Sequence, residues 1–156
     1  MIGVARVAGL ALDQPSPVDI AGVVALYALA LALILAADII HKEAYKHAPS
    51  WEGTENCNVA IANALIARAR VEQAGDSLFN VMVGSGLLWG LTGVFATLAV
   101  LRPWLDTIAA LPMVDFGSLT IYATVLSTVS MPIVFVTYLG YHSAQTGADQ
   151  ADKSVH

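Results

Sequence analysis

Charge is what this sequence lacks most. Only 12% of its 156 residues are Asp, Glu, Lys or Arg, about half the share usual in soluble domains. Its Lys and Arg residues form no basic block, which argues against nucleic acid as a partner. The single cysteine, Cys57, excludes an intrachain disulfide and leaves the redox compartment open. No CxxC, HExxH or glycine-rich phosphate loop occurs. His41 and His47 are spaced poorly for a shared metal on one helical face. No histidine pair suits haem ligation and no nucleophile–base pair suits hydrolysis. The sequence therefore assigns no catalytic residue, metal ligand or cofactor.

What the chain has instead is apolar length. Hydrophobic residues make up 57% of it, and the mean hydropathy is +0.69. Leu78–Leu101 contains no charged residue. A helix of that length spans about 36 Å, enough for a hydrocarbon core of about 30 Å. A soluble helix as long would show a polar face, and here only Asn80, Ser85, Thr92 and Thr97 are polar. Ile20–Ile40, with Asp38 near its end, and Phe116–Leu139 also qualify by length and apolar content. The expected fold is all-α: one polytopic membrane domain over 1–156, with spans near 20–40, 78–101 and 116–139.

The boundaries carry helix signals. Ser16 is placed to cap, Pro17 to take the first helical position and Asp19 to meet free N–H groups. Asp38 is expected to pair with Lys42 one turn on, and the Tyr27 hydroxyl needs a partner inside the first span. Residues 48–56 read as a loop, with Asn56 or Asn58 capping the next helix. Arg102-Pro103-Trp104 reads as the end of the central span, Asp115 as the cap of the last, and Pro132 as a bend within it. The tail beyond His142 reads as disordered.

Between the first two spans lies an alanine-rich helical segment, approximately 58–75, extramembrane or interfacial and able to run straight into the central span. Arg68 and Glu72 are spaced to pair. Asn63, Arg68, Arg70, Glu72, Asp76 and Asn80 are the candidate contacts for a polar or anionic ligand or a partner. This charged approach to a span invites comparison with the membrane-associated proteins of eicosanoid and glutathione metabolism. Three spans in place of four, and no arginine–asparagine–glutamate pattern across Arg70–Asp76, do not support that assignment.

Gly84, Gly86, Gly90 and Gly93 are the candidate helix-packing positions, with Gly86 and Gly90 forming a GxxxG pair. Thr120, Thr124, Ser127 and Ser130 or Met131 fall close to one face of the last span. These features, with little mass outside the membrane, fit a small integral subunit that packs within a larger membrane complex. Its expected partners are lipids and other integral subunits or identical copies. The alternatives are an enzyme for a lipophilic substrate at an oligomer interface, or a transport component using Asp38 or Asp76. For a prokaryotic plasma membrane, Arg6 and Arg102 fall on one side, against Lys42, Lys46, Arg68, Arg70 and Lys153 on the other. That bias predicts an outside amino terminus and a cytoplasmic carboxyl terminus.

Overall fold

The computed structural model describes residues 16–45, 59–108 and 114–153. They form three helices, α1 (Pro17–Tyr45), α2 (Val59–Ile108) and α3 (Phe116–Lys153), each long and apolar enough to cross a membrane. The protein is an integral membrane helical bundle. Arg6, Lys46, His47, Trp51, Asn56, Cys57 and Asn58 lie outside the described residues.

The caps follow the local sequence. Ser16 Oγ donates to Asp19 at 2.6 Å, and the Asp19 N–H donates back to Ser16 Oγ at 3.2 Å. This closes the amino-terminal turn of α1 in capping-box fashion. Asp115 accepts from the N–H groups of Gly117 and Ser118 at 3.0 and 3.2 Å and from the Ser118 hydroxyl at 2.5 Å. Those bonds, Ser118 Oγ foremost, with Arg102 nearby, hold the Asp115 carboxyl below the usual carboxylate range.

Two expectations about chain ends are corrected. Pro103 does not stop α2, which runs on to Ile108. A proline removes one N–H donor, and membrane helices tolerate it when neighbouring groups satisfy the freed carbonyl. The tail beyond His142 is not disordered either, because α3 continues to Lys153. Ala144, Ala148 and Ala151 recur at helical spacing on its half-buried side, and Gln145 Nε2 donates to Tyr141 Oη at 2.8 Å. Pro132 lies inside the same unbroken helix.

The chain divides into two compact units, each drawing on all three helices. The first comprises α1 to Leu33, α2 from Gly84, and α3 to Met131. Its interior is small and hydroxylated. Thr92 and Ser127, both fully buried, hydrogen-bond at 3.0 Å, and Ser85 meets Ser130 at 2.6 Å. Tyr27 Oη lies 3.3 Å from Thr97 Oγ1, giving the phenol its partner. Hydroxyls on the outer face bond to their own helix: Thr128 donates to the Thr124 carbonyl at 2.8 Å. A lipid-facing hydroxyl is thereby satisfied without water.

The second unit comprises α1 from Ile34, α2 to Val83, and α3 from Pro132. Ala37, Ala44, Ala64 and Leu78 are buried in it. Gly75, which the sequence offers only as a soft point, is a packing position here. A Cβ built on it would stand 2.7 Å from the Ala44 methyl and 3.6 Å from the Tyr141 ring. Large apolar side chains such as Leu35, Ile39, Phe135 and Val136 point outward, as lipid contact requires.

Candidate polar ligand site

The second unit also brings the charged stretch of α2 together with the charged end of α3. On α2, Arg68, Glu72 and Asp76 recur every four residues and so share a face. Each meets a different environment. Arg68 Nη2 donates to Asp152 on α3 at 2.6 Å, and both side chains are more than a third exposed. The expected i,i+4 pair between Arg68 and Glu72 is replaced by this contact, which brings together residues far apart in sequence. A guanidinium that a facing helix reaches in good geometry has little to gain from a neighbour on its own helix.

Asp76 faces α1. Both of its oxygens accept from Tyr45 Oη at 3.0 Å, and His41 Nδ1 lies 3.5 Å from one of them. The His41 ring packs against Phe79 and Tyr45 at centroid distances of 4.7 and 4.9 Å. Its Nδ1 is shielded from solvent without a hydrogen bond. Nearby, Lys42 Nζ donates to Asp38 at 2.5 Å, the pairing that their spacing predicts.

Beside the Arg68–Asp152 pair a cavity of about 330 Å³ opens. Glu43 and Ala44 of α1, Arg68, Val71 and Glu72 of α2, and His142, Gln145, Thr146, Ala148, Asp149 and Asp152 of α3 line it. Of the sequence candidates, Arg68 and Glu72 stand on its wall, and Asp76 is engaged by Tyr45. Asn63, Arg70 and Asn80 are exposed on α2 and do not line it. Sequence reasoning misses the α3 contribution, because a tail with charges at its end reads as a solvated terminus. The alanine spacing of 144, 148 and 151 is the available signal.

Among the packing glycines, Gly90 has the Ala30 methyl 3.9 Å from its Cβ position, and Gly93 has the Tyr27 ring at 3.1 Å. Gly86 is buried. Gly84 is exposed and has nothing within 4 Å.

Among the described residues, no three His, Cys, Asp or Glu side chains converge to hold a metal ion. No protein-family model, curated protein or solved structure matches this chain. The functional reading therefore rests on the chain's own geometry.

Proposed function

We propose that this protein is a small integral subunit whose central helix packs against another membrane chain, stabilising a larger assembly. One observation carries the reading. Gln73, Ser77, Asn80, Gly84, Leu87, Leu91 and Val94 are all exposed and recur on α2 at alternating spacings of three and four. That is the seam pattern of a helix pair. The seam holds an exposed Asn80 inside the apolar run, where an amide facing hydrocarbon is costly unless a neighbouring helix hydrogen-bonds it. Gly84, one turn further, leaves open space for a second backbone to approach.

The alternatives draw less support. Transport through Asp38 or Asp76 would use carboxylates already bound by Lys42 and Tyr45. Catalysis on a lipophilic substrate would have to use the carboxylates or His142 of the cavity lining, which lie beyond the apolar runs where such a substrate would sit.

The test is native electrophoresis of the protein extracted in mild detergent, comparing wild type with Asn80→Leu and Gly84→Leu. Both substitutions should shift the assembly to smaller species while helix content persists. A monomeric wild type, or assembly unchanged in both variants, overturns the reading. Mass spectrometry of the wild-type band distinguishes identical copies from other subunits.

A further inference from the structure

We propose that the cavity in the second unit binds a small organic cation, an ammonium or guanidinium group carried on an aliphatic chain. The inference is independent of the assembly reading, since the cavity and the α2 seam use different residues.

Charge gives the sign of the ligand. Among the described residues the guanidinium on the wall is that of Arg68, which is committed to Asp152 at 2.6 Å. Glu72 and Asp149 line the same space and make no hydrogen bond or ion pair with another side chain among the described residues. Glu72 is also half-buried. A cationic group entering the cavity would supply the missing partner in a charge-assisted hydrogen bond.

Shape and lining distinguish an organic cation from a metal ion. A hard metal needs several oxygens converging at about 2.0–2.6 Å, whereas among the described residues no three metal-binding side chains converge. The volume, about 330 Å³, is far larger than an ion and falls at the small end of ordinary ligand pockets. Ala44 and Val71 add apolar surface to the lining, which suits methylene groups. The cavity residues lie beyond the apolar runs of all three helices, so a water-soluble amine has access from the aqueous side.

The test is equilibrium dialysis of the full-length protein in detergent with labelled spermidine, at fixed ionic strength. Saturable binding is expected in wild type, weakened about tenfold or more in Glu72→Gln and in Asp149→Asn. Magnesium chloride of equal ionic strength should not compete. Asp38→Asn, outside the cavity lining, is the charge-matched control and should bind as wild type does. Circular dichroism and the unfolding temperature of each variant check that it folds. Should either cavity variant fail to fold, Thr146→Trp, which fills the space from the exposed rim without removing charge, replaces it and should also abolish binding. Absence of saturable binding overturns the proposal. So does equal loss in the Asp38 control, or displacement by magnesium, either of which marks nonspecific charge attraction.

Discussion

Gly75 and Ala44 pack so closely that a Cβ on the glycine would stand 2.7 Å from the alanine methyl. Neither atom is the far end of a flexible chain, so relief requires the two helix backbones to separate. Gly75→Ala gains helix propensity of up to about 1 kcal/mol but overpacks a tight contact, which costs about 1–3 kcal/mol. The clash should win, and Gly75→Leu should be worse. Gly147→Ala is the contrast: its Cβ meets nothing within 4 Å, so propensity should leave it neutral or slightly stabilised. Thermal unfolding in detergent checks the ordering. A Gly75→Ala variant more stable than wild type would refute the packing argument.

The buried Thr92–Ser127 hydrogen bond makes a second prediction. Interhelical hydroxyl bonds in membranes contribute about 0.6 kcal/mol on average and at most about 1.7. Thr92→Val and Ser127→Ala should each destabilise modestly. The double variant should cost less than the sum of the two, because the pair is lost only once. Strict additivity in a double-mutant cycle would show that the two hydroxyls do not interact.

Asp115 gives a pH dependence whose sign is fixed. Its folded carboxyl is held below the usual range, chiefly by the Ser118 hydroxyl, so the cap stabilises most where the carboxylate is ionised in both folded and unfolded chains. That holds above the ordinary Asp value of about 3.9. The contribution is lost as pH falls through the lowered folded value. Wild type should therefore exceed Asp115→Ala in stability at neutral pH, with a constant margin down to that ordinary value and a shrinking one below it. Chemical unfolding at a series of pH values measures the margin. A margin that grows on acidification contradicts the cap.

Orientation is tested by thiol labelling in a Cys57→Ser background. Impermeant reagent added to intact cells should reach Ser16→Cys and Thr107→Cys, while Thr54→Cys and Thr146→Cys should need permeabilisation. The opposite pattern would keep three spans and invert the proposed topology. Labelling of Ser16→Cys and Thr146→Cys from the same side would contradict an odd number of crossings.

By itself the sequence determined the class and the local grammar of this protein. Apolar runs of this length cross a bilayer as helices, because every backbone group must be satisfied within the segment without water. Ser16 with Asp19, and Asp115 with Ser118, act within one turn, and so does the Asp38–Lys42 pair, so their partners were legible from spacing alone. Tertiary structure decided whatever depends on which helix faces which. It gave Arg68 to Asp152 in place of Glu72, turned Gly75 from a soft point into a packing contact, and kept α3 helical through a tail that local polarity suggested would be loose. The cavity belongs to this second group. Its walls come from all three helices, and a space enclosed by residues as distant as Glu43 and Asp149 has no signature along a single chain.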